Sequence, residues 1–174
     1  DINNQYTDPD FEVPSGDVNL FVKDFKYPQV ARAILGLDHE FDSGLRATLE
    51  GIYTKTLNNV LYTNINNDQN GVQQLEGADD RNYYTDMSID DTYRAVYVGS
   101  NTDEGYTYTL TGSLAKRFDF NNASLNLSLA YTYGDAQALN EGTSSQNSSQ
   151  WRGQVHVNGR NNPVVGRSDF AIGH

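Results

Sequence analysis

The stretch "NASLNLSLAYTYGDA", residues 122–136, decides the fold class because its side chains alternate between two kinds. From Ala123 the odd positions are Ala, Leu, Leu, Leu, Tyr and Tyr, whereas the even positions from Ser124 are small or polar. A period of two is that of a β-strand with different surroundings on its two faces. A soluble sandwich would bury the leucines, whereas a membrane barrel would expose them to lipid and line its lumen with the polar residues.

The composition of the chain excludes several classes of protein. The chain has 174 residues, 37% of them hydrophobic, and a mean hydropathy of -0.66; no run reaches the roughly 18 apolar residues of a membrane helix. An excess of acidic over basic residues gives a net charge of -11, so we predict no nucleic-acid partner. The absence of cysteine excludes disulfides, thiolate zinc sites and a cysteine nucleophile.

Similar alternation elsewhere divides the chain into hairpins and loops. The sequences "DSG" (42–44) and "DFNN" (119–122) are turn signals between paired strands. We expect both ends to be cuts from a longer chain. The predicted parts of a single segment, 1–174, are a loop (1–26), a hairpin (27–57), a long extracellular loop (60–104) that includes a short strand at "TYRAVYVGS" (92–100), a hairpin (105–135), a long extracellular loop (136–167) and the start of a further strand (168–174).

The turns and aromatic residues indicate which surroundings the apolar face meets. Both short turns fall on one side of the predicted sheet and both long loops on the other, as in outer-membrane barrels. Aromatic residues end the apolar stripe on both sides, namely Phe41, Phe118 and Phe120 near the short turns and Tyr53, Tyr106, Tyr108, Tyr131 and Tyr133 near the long loops. Such girdles are typical of a bilayer-spanning sheet. We therefore predict an all-β fold of antiparallel strands forming part of a large transmembrane outer-membrane β-barrel, with a soluble antiparallel sheet as the alternative.

The acidic loop 60–104 raises the question of a metal site. Its sequence "NNDQNG" (66–71) resembles the first half of a calcium-binding EF-hand loop, but the twelfth position is Gly77 and Glu76 comes one residue early. The weak candidates for a metal ligand are Asp68, Asn70, Glu76, Asp79 and Asp80. The loop is either ordered by divalent cations or simply solvated, and we predict no cofactor.

The sequence contains few candidate catalytic residues. Its three histidines, His39, His156 and His174, lie in different segments, and it has no zinc-protease, nucleophile-elbow or phosphate-loop motif. We therefore predict that the protein is not an enzyme. Candidate ligand contacts in the two long loops are Arg81, Tyr83, Tyr84, Trp151 and Arg152. Trp151 and Arg152 could contact a ligand by stacking, or Trp151 could anchor the packing of its loop.

Several segments in this order resemble the barrel region of TonB-dependent outer-membrane receptors. They include "FKYPQVARAILGLDHEF", "LRATLEGIYTKTLNNVLYTNIN", "LEGADDRNYY", "GYTYTLTGSLAKRFDF", "LNLSLAYTYGDAQALNEGTSSQNSSQWRG" and "SDFAIGH". The resemblance is strongest to the large Oar-like branch, which is related to the SusC-like transporters of Gram-negative bacteria. It implies a barrel of about 22 strands that encloses a plug.

The resemblance also implies a function and a location. The chain would be a segment of a transporter in the outer membrane of a Gram-negative bacterium that takes up a large nutrient ligand. Its partners would be outer-membrane lipid, the rest of the barrel and the plug, the TonB complex through regions outside these residues, and a surface lipoprotein. The alternative is a non-transporting cell-surface adhesin or carbohydrate-binding β-domain.

Overall fold

A computed structural model describes residues 16–68, 72–78, 82–84, 88–157 and 159–171. The predicted all-β class is confirmed, and antiparallel pairs dominate the sheets. The elements in chain order are β1 (Asp17–Phe21), β2 (Gln29–Glu40), β3 (Leu45–Asn64), β4 (Val72–Gln74), β5 (Asn82–Tyr84), β6 (Ala95–Thr102), β7 (Tyr106–Phe120), β8 (Ala123–Ala138), α1 (Asn147–Gly153) and β9 (Gly166–Arg167).

Two hairpins form the body of the larger sheet. β2 and β3 pair from Glu40 opposite Arg46 along to Gln29, and Gly44 allows the turn between them because it adopts a φ of 74°. β7 and β8 pair along their whole length from Phe120 opposite Ala123. The strand order is β1-β6-β3-β7-β8-β9, and β2 lies against the other edge of β3.

β3 is long because it pairs with two successive strands of the chain. Its residues Leu45–Lys55 pair with β7, and Asn59–Asn64 pair with β6 on the same edge. At about 3.3 Å per residue, these 20 residues extend for roughly 65 Å. We call β2, Leu45–Lys55 of β3, β7 and β8 the lower sheet, and we call β1, β6 and Asn59–Asn64 of β3 the upper sheet.

The observed elements correct the predicted loops at three places. Residues 17–21, within the predicted loop 1–26, form β1 because they pair in parallel with the free edge of β6. The predicted loop 60–104 contributes the end of β3 and all of β6 to the upper sheet, where the short strand expected at 92–100 overlaps β6, and it also contains the separate two-stranded sheet of β4 and β5. The predicted loop 136–167 contains the end of β8, α1 and β9, whereas the strand expected from 168 is a turn at 169–171; residues 172–174 lie outside the described part.

The structure has a small core and two open edges. Among the described residues the buried apolar cluster consists of Tyr62, Ala95 and Tyr97 of the upper sheet and Trp151 of α1. In the described part of the chain, β2 pairs only with β3, and β8 has an outer partner only at Gln137 and Ala138. Within the described residues the sheet therefore does not close. In the same part of the chain, no helix has the length and apolar character needed to cross a membrane.

Candidate functional site

The lower sheet exposes an apolar face. Leu37, Leu49, Gly112 and Tyr131 lie opposite one another on four adjacent strands, so their side chains share one face. Neighbouring rows add further leucines, and Leu129 is 70% exposed. Soluble monomers rarely expose a continuous apolar surface of this kind. The face therefore needs an apolar environment.

Aromatic side chains lie at both ends of this apolar face. Phe118 and Phe120 are next to the β7–β8 turn. At the far end Tyr108 is 6.1 Å from Tyr133 and 6.4 Å from Tyr106, measured between ring centroids. The face thus has a leucine-rich centre with aromatic ends.

The opposite face of the lower sheet is polar, and its side chains bond to one another across strands. The Arg32 Nε–H donates to Thr54 Oγ1 at 3.0 Å, and the Thr48 hydroxyl donates to Asp38 Oδ1 at 2.6 Å. Arg46 pairs with Glu40 at 3.2 Å. Such a face is suited to water or to a polar partner and not to lipid. The two faces of one sheet therefore require different surroundings.

The predicted ligand contact Trp151 is instead a packing anchor. Its side chain is 4% exposed and lies 5.6 Å from the ring of Tyr97. Its indole N–H donates to Asn161 Oδ1 at 2.8 Å, and the guanidinium of Arg160 lies 5.4 Å from its ring centroid. With its faces and its donor occupied, Trp151 holds α1 against the upper sheet and presents no free surface for stacking. This is the anchoring alternative that its sequence context left open.

A polar depression of about 560 Å³ lies between β1 and the start of α1. Its lining includes Asp17, Asn19, Arg94 and the segment 145–148. Arg94 holds the carboxylate of Asp17 through two hydrogen bonds of 2.8 and 2.7 Å. The hydrogen bond from Arg94 keeps the pKa of Asp17 below its ordinary value, with a smaller contribution from the charge of Arg152. The predicted contact Arg152 is exposed, and its charge acts on Asp17.

The predicted contacts Tyr83 and Tyr84 belong to a strand outside the larger sheet. Tyr83 is on β5, in a two-stranded sheet separate from the larger one, and its hydroxyl donates to Gln73 Oε1 at 2.6 Å. The backbone of Tyr84 pairs with that of Val72, and Arg81 lies outside the described residues. The described part of the chain therefore does not bring the five predicted contacts together.

The predicted metal ligands do not form a described site. Asn66 has a structural role. Its Nδ2 donates to the carbonyls of Asp90 and Tyr93, and its Oδ1 accepts from the N–H of Asp90. Hydrogen bonds from Thr92 lower the pKa of Asp90. Across the described residues, no group of three or more His, Asp or Glu side chains is placed to hold a metal ion. Of the candidates, Asp68 and Glu76 belong to the described part, and Asn70, Asp79 and Asp80 lie outside it.

Comparison with known proteins assigns no family to this chain. No family model, curated protein or solved structure matches this chain. The structure defines an all-β chain whose open antiparallel sheet has one apolar face and one polar face.

Proposed function

We propose that this chain is a segment of the wall of an outer-membrane β-barrel that takes up a large nutrient ligand. The observation that carries the proposal is the exposed apolar face of the lower sheet, with its aromatic ends. A barrel wall needs lipid on one face and an aqueous lumen on the other. The apolar and polar faces of the lower sheet match these two environments.

The dimensions of the apolar face fit a bilayer. Phe118 and Tyr108 are about ten residues apart on β7, which corresponds to roughly 33 Å along the strand. With the usual tilt of about 45° the height is roughly 23 Å, close to the apolar band of about 25 Å on known barrels. The upper sheet would extend beyond the membrane.

The open edges support the same proposal. β2 and β8 leave rows of main-chain N–H and C=O groups without partners in the described sheet. Such groups are very unfavourable in lipid, and in water they promote edge-to-edge aggregation. Further strands, from the same protein, would pair with both edges and close the barrel around the polar face.

The uptake function rests on the resemblance to TonB-dependent receptors. In this proposal the upper sheet and the segment 139–165 lie outside the cell and make the first ligand contacts, with Arg152 and Tyr83 among the accessible side chains. The ligand then passes along the polar lumen when the TonB complex acts on a plug. The plug, the energy coupling and a surface lipoprotein partner belong to other parts of the system.

One observation favours the second candidate, a non-transporting adhesin or carbohydrate-binding β-domain. The upper sheet has its own buried cluster and carries the polar depression lined by Asp17 and Arg94. A binding domain needs such a surface whether or not a transporter lies below it. The exposed leucines of the lower sheet have no role in that alternative.

The topology is tested with epitope tags in the intact protein. A tag inserted at Ser145, an exposed residue before α1, should be reached by antibody on whole cells, because it would lie outside the membrane. The matched control is the same tag at Ser43, in the short β2–β3 turn, which should be reached only after the outer membrane is opened. Antibody access to Ser43 and not to Ser145 on whole cells would reverse the topology.

A further inference from the structure

One edge of the upper half of β3 has no strand partner in the described part of the chain. β6 pairs with the other edge over Asn59–Asn64, and β2 ends opposite Asn58. Alternate residues of a strand present their N–H and C=O groups to opposite sides. Leu61 and Ile65 bond toward β6, to Ser100 and Val96. The main-chain groups of the alternating residues therefore point to the free edge.

Side-chain amides bond to this edge in place of a strand. The N–H of Tyr62 donates to Gln154 Oε1 at 2.8 Å, and Gln154 Nε2 donates to the Tyr62 carbonyl at 2.9 Å. Asn161 makes the same pair of bonds with Asn64, at 2.9 and 2.7 Å. The neighbouring carbonyl, that of Val60, accepts from Asn140 Nδ2 at 2.9 Å.

These three amides imitate the main chain of an antiparallel strand. A carboxamide has the same acceptor and the same type of donor as a peptide group. The three residues are far apart in sequence and lie on what we call the latch segment, residues 139–157 and 159–161. The latch segment bonds to the free edge through these side chains, and its main chain adds the Asn140 carbonyl, which accepts from Asn59 Nδ2 at 3.0 Å. None of these bonds is a strand pair, so the latch segment can leave without breaking a strand pair of the larger sheet.

The latch segment also fills an apolar site beside the edge. Trp151 is its buried aromatic residue and packs with Tyr62 and Tyr97. The residues before it, 141–149, are polar or small. Trp151 therefore adds an apolar anchor to the amide bonds that hold the latch segment at the upper sheet.

We propose that the edge at Val60, Tyr62 and Asn64 is a docking site for an extended peptide, which the latch segment covers when no peptide is bound. The peptide would add as a strand, a known mode of peptide recognition, with its main chain replacing the three amides. One large apolar side chain of the peptide would replace Trp151. The proposal uses the proposed function only for the position of this edge outside the cell.

The test uses Trp151 as a reporter: it is the only tryptophan of these 174 residues, and its emission is taken as the difference between the wild type and Trp151→Phe. The purified protein in detergent is titrated with a labelled heptapeptide that alternates threonine and valine and has a central phenylalanine. Binding is followed by anisotropy of the label. We expect the emission of Trp151 to shift to longer wavelength as the peptide binds, because the latch segment exposes it to water.

The variant Gln154→Leu separates docking from non-specific binding. It removes two bonds from the covered state, so half-saturation should occur at about tenfold lower peptide concentration. Gln146→Leu is the matched control, because it makes the same change at an exposed residue of the latch segment, and it should behave as the wild type. A peptide N-methylated at alternate main-chain amides should not bind.

Three results would overturn the proposal. They are equal affinity of Gln154→Leu and Gln146→Leu, equal binding of the methylated peptide, and peptide binding to the wild type without a shift in Trp151 emission. If Gln154→Leu does not fold, peptide binding to the wild type without a shift in Trp151 emission is sufficient to overturn the proposal. The measurement needs neither a membrane nor transport, so its failure leaves the tag experiment unaffected and is distinguishable from failure of the proposed function.

Discussion

Replacing Leu129 with arginine should destabilise the membrane-inserted protein by about 2–4 kcal/mol, the usual effect of arginine at the middle of a lipid-facing strand. Leu129 lies near the centre of the apolar face, opposite Leu114, and is 70% exposed in the described structure. In a soluble protein such an exposed position would accept arginine with little effect. The expected loss therefore depends on lipid at this face.

The matched control is Ser128→Arg, the same change one residue earlier on β8. Ser128 lies opposite Ala115 on the polar face, where arginine would meet water or polar groups. We expect its free energy of unfolding to change by no more than about 0.5 kcal/mol. The measurement is urea unfolding of the full-length protein in lipid vesicles. Equal effects of the two variants would argue against a lipid-facing surface.

Replacing Trp151 with alanine should release the latch segment from the upper sheet. The ring lies in the small buried cluster with Tyr62 and Tyr97, and truncation of a buried tryptophan costs about 3–5 kcal/mol. Hydrogen exchange should show faster exchange of the Tyr62 and Asn64 amides, by roughly a hundredfold, because Gln154 and Asn161 would no longer hold them.

Trp151→Phe is the control for this prediction. It keeps an aromatic ring against Tyr97 and loses the hydrogen bond from the indole nitrogen to Asn161. We expect a loss of about 1 kcal/mol, the usual contribution of one hydrogen bond. Exchange rates that do not differ between the alanine variant and the wild type would show that Trp151 does not anchor the segment.

The strand content of the lower sheet could be predicted because its sequence pattern is local. The alternation in 122–136 gives both the β-strand and the separation of its faces, and cross-strand pairing then places Leu114 opposite Leu129. The turn at Gly44 is equally local, since a glycine with positive φ closes it. These features depend on residues that are close together in sequence, so the sequence alone is sufficient to predict them.

A short strand within 92–100 could be predicted and overlaps β6, but the pairing of the upper sheet could not, because its contacts are distant in sequence. β1 is only five residues long, too short for a clear period, and it forms because β6 offers it an edge. Gln154 and Asn161 look like ordinary polar loop residues, and nothing in their own segment indicates that they bond to Tyr62 and Asn64. The acidic loop likewise gave no reliable sign that Asn66 ties it to residues 90–93.

The most direct test of the lipid-facing wall is cysteine labelling of the full-length protein in membranes. The chain contains no cysteine, so each introduced one is the only reactive thiol of this segment. Single cysteines at positions 125, 127, 126 and 128 sample both faces of β8 under the same conditions. With a water-soluble thiol reagent we predict labelling at 126 and 128 and little at 125 and 127. Faster labelling at 125 and 127 than at 126 and 128 would contradict the assignment of the apolar face to lipid.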